Sequence, residues 1–282
     1  MGILRRSKQE RELRAVVKGQ ELPHFPEVTL RVLERLRDPE ADFAEIADSL
    51  QWEPGLVVQV LRTVNSAAYG VSARIENVRH AISFMGRSQL EQLVLANAVK
   101  DSLPRASAMG FRYERFWRAA SFRAALARAF AHELHPARSA EAFTAGLLQD
   151  MAVPVLAHAR PDDYGPLLEA WHGGEGQSLE DLERDEFGWS HAQVGGLLGQ
   201  VWELPEALVG AISLHHSSEH TDQEVLPATR LVAHLREHED ARDQEALIEQ
   251  ARSDYGLAPD WTCETLEACR AMASELATVM LS

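Results

Sequence analysis

PEVTLRVLERLRDPEADFAEIADSLQWEPGLVVQVLRTVNSAAYG, residues 26–70, contains three successive apolar patterns with the period of an α-helix. In the first pattern the apolar residues fall three and four positions apart, so they would form one stripe on a helix surface. That stripe consists of Val28, Leu30, Val32, Leu33 and Leu36. The stretch therefore predicts three short helices that bury one face each.

Residues with known preferences for helix ends separate these patterns. Pro26 and Pro54 suit the first turn of a helix, where the missing amide hydrogen is not needed. Asp42 can cap the second helix, with Glu45 three residues later to complete a capping box. Gly70 suits a left-handed helix stop. The helices should therefore begin and end at these positions.

The rest of the chain repeats the helical pattern, and strand-like alternation is nearly absent. Further helices are predicted near 77–85, 87–102, 113–134, 139–158, 162–172, 179–187, 190–202, 205–217, 223–238, 243–254 and 262–280. With short connections between them, these segments predict an all-α, multi-helical bundle.

Composition narrows the classes of protein that fit the chain. Its 282 residues, 45% of them hydrophobic, can bury one large core or two modest ones. A formal net charge of −15 gives no broad cationic field, so nucleic acid is not an expected partner. No apolar stretch has the length of a membrane span or a signal-peptide core. We therefore expect a cytoplasmic protein with no membrane partner.

The charge distribution suggests three regions. Residues 1–20 are basic and predict a helical N-terminal extension, and residues 21–217 form the main domain. The composition shifts after His216, so residues 218–282 predict an acidic helical C-terminal extension. Cys263 and Cys269, six positions apart on a predicted helix, suit neither a disulfide framework nor a paired-thiolate zinc site.

A DNA-reading helix-turn-helix is an alternative interpretation of residues 43–65. A recognition helix needs exposed polar or basic side chains that reach base edges. The second helix offers mainly Gln59, followed by Arg62 and Asn65, among residues that favour a core. Helix packing therefore explains this segment better than DNA recognition does.

Several motifs together resemble the HDOD domain, a divergent and generally non-catalytic relative of the HD metal-dependent phosphohydrolases. The first is LP-x-x-P at Leu22, Pro23 and Pro26, followed by NSA-x-Y-G from Asn65 to Gly70 and A-I-x-x-x-G from Ala81 to Gly86. FWRAASFRAALARAFA, AFTAGLLQDMAVPVL and SHAQVGGLLGQVWELPEALVGAISLHH resemble the second half of the domain. The resemblance covers roughly residues 21–217 and implies an HD-like bundle.

The NSA-x-Y-G motif has a structural and a functional interpretation. Asn65 can hydrogen-bond local backbone, and the ring of Tyr69 can plug the helix end. Alternatively, Asn65 and Tyr69 form a ligand or partner site with Arg74 nearby. A structural role is the simpler interpretation of this motif.

The resemblance also locates a degenerate metal site. It implies a first histidine two residues after Trp117, where this chain has Ala119, and a His-Asp pair that is here Gln149 and Asp150. Histidines remain at His191, His215 and His216, whereas a late aspartate is represented only by the weak candidate Asp240. Adjacent residues on a helix point about 100° apart, so His215 and His216 should not face one ion. A partial site of Asp150, His191 and one of this pair is the alternative, but we expect no bound metal and no cofactor.

These features favour a non-enzymatic signal-transduction or regulatory module that acts through protein–protein interaction with an unidentified signalling protein. A residual phosphohydrolase is one alternative, opposed by Ala119 and Gln149. A nucleotide sensor is another, if Arg118, Arg123, Asp150 and His191 line one cavity. The oligomeric state stays open.

Overall fold

A computed structural model describes most of the chain. The described residues are 11, 13–17, 24–51, 54–66, 69, 71–173, 177–217, 226–237 and 241–281. They contain α-helices and no strand, which confirms the predicted all-α, HD-like class. Within this part of the chain, no helix has both the length and the apolar character needed to cross a bilayer.

Fourteen α-helices have bounds within the described residues. The first seven are α1 (Glu27–Arg37), α2 (Phe43–Gln51), α3 (Pro54–Val64), α4 (Val78–Ser102), α5 (Tyr113–Leu134), α6 (Ser139–Leu148) and α7 (Ala152–Ala159). The others are α8 (Pro161–Gly173), α9 (Leu179–Phe187), α10 (His191–Val201), α11 (Glu206–Ser213), α12 (Pro227–Val232), α13 (Ala241–Tyr255) and α14 (Pro259–Leu281). A 3-10 turn, Pro136–Arg138, precedes α6.

The predicted helix ends in the first stretch are largely confirmed. The Asp42 side chain accepts hydrogen bonds from the amides of Ala44 and Glu45, both at 2.8 Å, and the Glu45 carboxylate accepts one from the Asp42 amide at 3.3 Å. α3 begins at Pro54, as expected. Leu30 differs from the prediction because its side chain is 42% exposed. Gly70 lies outside the described residues.

The predicted continuous helix over 139–158 is wrong. α6 ends at Leu148 and α7 begins at Ala152, with a turn between them. Pro154 explains the break, since proline has no amide hydrogen and its ring would clash with the carbonyl four residues earlier in a continuous helix. That carbonyl belongs to Asp150, so the break places Gln149 and Asp150 in the turn.

The predicted pair 77–85 and 87–102 forms a single element, α4, with a kink. Gly86, between the two predicted segments, has φ 77° and ψ 171°, which are not helical angles. A side chain is strongly disfavoured in that region of backbone space. The Asn77 side chain caps the N-terminus by accepting from the His80 amide at 2.8 Å.

The long helix α5 lies at the centre of the fold, against α6, α12 and α14. On one side, α4 packs against α1, α2, α3 and α6. The larger core contains Trp117, Phe116 and Phe143 and extends to α10 and α11. A second core joins Phe130 and neighbouring residues of α5 to α12, α13 and α14.

Both proposed extensions contact the main domain. At the N-terminus, Leu13 and Val17 are buried in the larger core, and Arg160 donates to the Val16 carbonyl at 2.5 Å. At the C-terminus, α14 packs along α5 and contributes Leu276 and Met280 to the same core. The boundaries at 20 and 217 stay predictions.

Candidate functional site

The site begins at the turn between α6 and α7. Asp150 is there with a side chain 13% exposed, and Gln149 is buried beside it. The amide oxygen of Gln149 is buried and accepts no hydrogen bond from the described residues. An amide oxygen is also a weaker ligand than imidazole for a transition metal, so Gln149 does not replace the missing histidine.

His191 is the first residue of α10 and is held by a buried carboxylate. One oxygen of Glu183, on α9, accepts from the His191 amide at 2.6 Å and contacts its Nδ1 at 2.7 Å. The other oxygen accepts a hydrogen bond from the Tyr164 hydroxyl. Because Nδ1 is occupied in this way, the Nε2 atom of His191 faces Asp150. A carboxylate behind a histidine is the arrangement that orients metal-ligating imidazoles.

The expectation that His215 and His216 diverge is wrong. α11 ends at Ser213, and Leu214 leaves the helix with φ −121° and ψ 10°. The two histidines therefore lie in a turn, where the helical 100° rotation between neighbours does not apply. His215 Nδ1 contacts the Ile212 carbonyl at 2.7 Å, which directs its Nε2 inward. His216 Nε2 lies 3.2 Å from His191 Nε2.

Asp150, His191, His215 and His216 thus form one compact donor cluster, with one atom from each within 4.8 Å of the others. The Nε2 atoms of His191 and His215 are 3.4 Å apart, and Asp150 Oδ1 lies 3.5 Å from the first and 3.3 Å from the second. Donors about 2.0–2.1 Å from a tetrahedral ion lie roughly 3.3 Å from one another. The atoms of Asp150, His191 and His215 have this spacing, so these three donors fit one such ion, and His216 lies within 4.8 Å of each of them as the fourth donor available. The prediction of no bound metal stays untested, but its argument from diverging histidines fails.

Arg123 supplies a positive charge to the opposite side of Asp150. It lies one helical turn after Ala119 on α5 and is 1% exposed. Its Nη2 is 2.7 Å from Asp150 Oδ2, and its Nη1 donates to the Leu235 carbonyl at 3.0 Å. The helix that would supply the first metal ligand therefore supplies a guanidinium instead.

Burial and these neighbours set the charges of the cluster. For Asp150, burial acts to raise the pKa, but Arg123 and the two hydrogen-bonded histidines hold it well below its usual range. For His191, burial acts to lower the pKa, but Glu183 and Asp150 raise it to about 10. Burial and the other histidines keep the pKa of His216 well below its usual range. An ion would therefore compete with a proton on His191.

Asn65 and Tyr69 of the NSA-x-Y-G motif, and nearby Arg74, are not part of the donor cluster. Asn65 donates to the Leu61 and Ile75 carbonyls and accepts from the Ile75 amide, each at 2.7 Å. Arg74 is exposed and lines an open groove together with Asn65. Tyr69 does not line that groove. Its half-buried ring packs edge-on against Phe143, 5.5 Å between centroids, beneath Arg128.

The sequence did not identify Glu183 and Tyr164, and it named Arg123 as a residue of a possible nucleotide cavity but not as the ion-pair partner of Asp150. The position of Arg123, four residues after Ala119, was an available signal, since residues with that spacing share a helix face. Glu183 lies in the acidic segment LEDLERDEF, where a surface position is the ordinary expectation. Only the tertiary structure shows that its side chain is buried.

The single cavity expected for a nucleotide sensor is not formed. Asp150, His191 and His216 line a cavity of 210 Å³ together with Trp171 and His234. Arg118 instead lines a separate cleft with Ala119. Arg123 lies between these regions and does not line either one.

Comparisons with known proteins show which family this chain matches. The family model described as HDOD domain matches residues 22–218. An uncharacterized protein of Treponema pallidum (strain Nichols) is 25% identical over 216 residues, which cover 76% of this chain. The chain spans only 41% of the length of that relative.

Two solved structures have a similar fold. A protein from Shewanella amazonensis SB2B with the provisional name phosphohydrolase has a TM-score of 0.73 at 21% identity, covering 95% of this chain and 97% of its own. A protein from Marinobacter aquaeolei VT8 with the provisional name signal transduction protein has a TM-score of 0.74 at 19% identity. The match covers 98% of this chain and 66% of the Marinobacter chain. At these identities the likeness shows the fold.

Proposed function

The chain belongs to the HDOD domain family, and from that premise we propose that it is a non-enzymatic signal-transduction or regulatory module that acts by binding another protein. The provisional signalling name of one structural neighbour agrees with this proposal, and the phosphohydrolase name of another does not. Neither name decides between the two functions, so the proposal rests on the site of this chain.

The guanidinium at Asp150 carries the proposal. In the family pattern, the helix that contains Trp117 would provide a histidine toward the His-Asp pair. Here that helix has Ala119 at the ligand position and directs Arg123 onto Asp150 Oδ2. A guanidinium is a permanent cation that cannot lower the pKa of a bound water by coordination. This side of Asp150 is therefore stabilised without acquiring hydrolytic chemistry.

The other side of Asp150 can hold one ion. The donors would be Asp150 Oδ1 and the three histidine Nε2 atoms, with Glu183 and the Ile212 carbonyl orienting two of the rings. A divalent ion supplies Lewis acidity when one coordination position is open to water or substrate. Four protein donors complete a tetrahedral shell, which is typical of structural sites. Such an ion would join the α6–α7 turn, α10 and the turn after α11.

A residual phosphohydrolase is the second candidate. The 210 Å³ cavity favours this second candidate. The cavity reaches Asp150, His191 and His216, so it would admit a small anion to the donor cluster. Hydrolysis would require one of the four donors to leave the ion. Turnover by the metal-loaded protein separates this candidate from the regulatory module.

Exposed apolar side chains suggest where a protein partner binds. Among the described residues, five large ones are more than a third exposed, and four of them belong to helices α1 to α4: Leu30, Phe43, Val58 and Phe84. Since α2 packs against α4, Phe43 and Phe84 lie on neighbouring helices. Exposed aromatic side chains are frequent anchors in protein interfaces.

Partner capture tests this proposal. We expect the immobilised protein to retain a specific partner from an extract of its own cells, and Phe84→Ser to lose it while keeping the parent's melting temperature. Met109→Ser is the matched control, because Met109 is similarly exposed at 57% but lies between α4 and α5. Equal capture by the parent and Phe84→Ser would contradict this surface, and failure of the parent to retain any partner would contradict the proposal itself.

A further inference from the structure

A second site lies between the first turns of α5, the helix α14 and the segment at 236–237. This cleft has a volume of 550 Å³, within the range of small-molecule sites. It is separate from the donor cluster, since its lining contains neither Asp150 nor any of the three clustered histidines. Arg236 lines both this cleft and the cavity at the donor cluster, and Ala119, at the position of the missing metal ligand, lines this cleft alone.

The cleft gathers positive charge in a chain whose formal net charge is −15. Five arginines line it: Arg112, Arg115, Arg118, Arg236 and Arg270. The first three are exposed and have no ion-pair partner among the described residues; Arg112 immediately precedes α5, and Arg115 and Arg118 lie in its first two turns. Arg115 and Arg118, three residues apart, are neighbours on the helix surface, and Arg112 lines the same cleft from the residue before the helix, so the three long side chains can reach one ligand.

Two carboxylates also line the cleft, and they do not cancel this charge. Glu237 is largely buried, and its Oε2 lies 3.3 Å from His172 Nε2. Arg236 has its own acidic partner, Asp243, at 3.0 Å. Four arginines besides Arg236 therefore line the cleft against Glu114 and Glu237, which leaves the lining with an excess of positive charge. The N-terminus of the 22-residue helix α5 adds to the positive potential, because no side chain caps it.

Small and aromatic side chains also line the cleft. Small side chains line it on both helices, Ala119 from α5 and Ala273, Ser274 and Ala277 from α14. Phe122 forms part of the same surface, with the Arg270 guanidinium 5.7 Å from its ring centroid. A planar heterocycle can stack on an aromatic ring or on a guanidinium plane. A histidine at position 119 would take up part of this space.

We propose that the cleft binds a nucleotide with two or more phosphate groups. The phosphates lie at Arg112, Arg115 and Arg118, and the base lies in the slot between Ala119, Phe122 and α14. Because the ligand contacts both α5 and the C-terminal helix, it stabilises their packing. This inference does not rest on the regulatory function or on a metal in the donor cluster.

Calorimetric titration with ATP in magnesium-free buffer tests the site. Arg118→Glu and Arg115→Glu should each weaken binding by at least about tenfold, as expected when a charge-assisted contact is lost. Arg31→Glu is the matched control, because Arg31 is an exposed residue of α1 that does not line the cleft. It makes the same change of charge and should leave the Kd for ATP unchanged. Ser274→Trp should also block binding, whereas Thr278→Trp, one turn later on α14 and outside the lining, should not.

Three results would overturn the proposal. The first is no ATP binding at millimolar concentration by the parent protein. The second is equal weakening by Arg118→Glu and Arg31→Glu, which would indicate general charge attraction. The third is inorganic tripolyphosphate binding as tightly as ATP, which would remove the role assigned to the base. Melting temperatures of all variants establish that they are folded.

Discussion

At the scale of single residues, the most consequential pair is Arg123 and Asp150. Both side chains are largely buried, with Arg123 2% and Asp150 13% exposed. A buried ion pair gains little over an apolar pair, but removal of one partner leaves an uncompensated charge. The sequence named both residues as candidates to line one cavity but did not predict their ion pair, since only the fold brings α5 against the α6–α7 turn.

Arg123→Ala should therefore destabilise the protein by about 3–5 kcal/mol. Urea unfolding followed by circular dichroism measures this change. Arg79→Ala is the matched control, because Arg79 pairs with Asp48 at 3.0 Å on the surface. Loss of an exposed pair should cost about 1 kcal/mol or less. Equal midpoints for the Arg123→Ala variant and the parent would show that the buried pair contributes nothing.

At the scale of helices and turns, the sequence predicted most of the helices but not the ends of α6 and α11, which shape the donor cluster. Helix-period patterns identify helices well, since burial of one face is a local property of the sequence. The turn at 149–151 was missed although Pro154 was a visible signal for it. The end of α11 at Ser213 has no comparable signal, and it decides that both His215 and His216 face the cluster. The chemistry of the site therefore depends on ends that periodicity does not define.

Gly86 provides a test at this scale. Its φ of 77° and ψ of 171° are open to glycine, and an added Cβ would meet no atom within 4 Å. Gly86→Ala should therefore destabilise by backbone strain alone, by about 1–3 kcal/mol. Gly55 lies within α3, and an added Cβ there would also meet no atom within 4 Å. Gly55→Ala should therefore leave the stability of the protein unchanged or raise it by up to about 1 kcal/mol. Thermal unfolding of the two variants compares them, and equal melting temperatures would contradict the assigned kink.

At the scale of the whole molecule, the C-terminal segment contributes to the fold. Leu276 and Met280 of α14 are buried in the larger core, and the second core joins α5 to α12, α13 and α14. Composition predicted an extension beginning at 218 but could not predict this packing, which depends on the face that α5 leaves uncovered.

A chain truncated after Ser217 should consequently lose cooperative unfolding, because it exposes the apolar face of α5 around Phe130. Calorimetry of the truncated and full chains tests this expectation. A single transition near the melting temperature of the full chain would instead mean that residues 24–217 fold alone and that the C-terminal segment is an accessory.

Phosphodiester turnover by the metal-loaded protein tests the central claim most directly. The full chain would be dialysed against manganese, iron or zinc, its metal content measured, and its hydrolysis of a generic phosphodiester and of cyclic dinucleotides followed. Because Arg123 occupies one side of Asp150 and four protein donors surround the other, we expect no turnover above background at any metal content. Turnover that is abolished by a chelator and by Asp150→Ala would contradict the account and assign the chain as a phosphohydrolase.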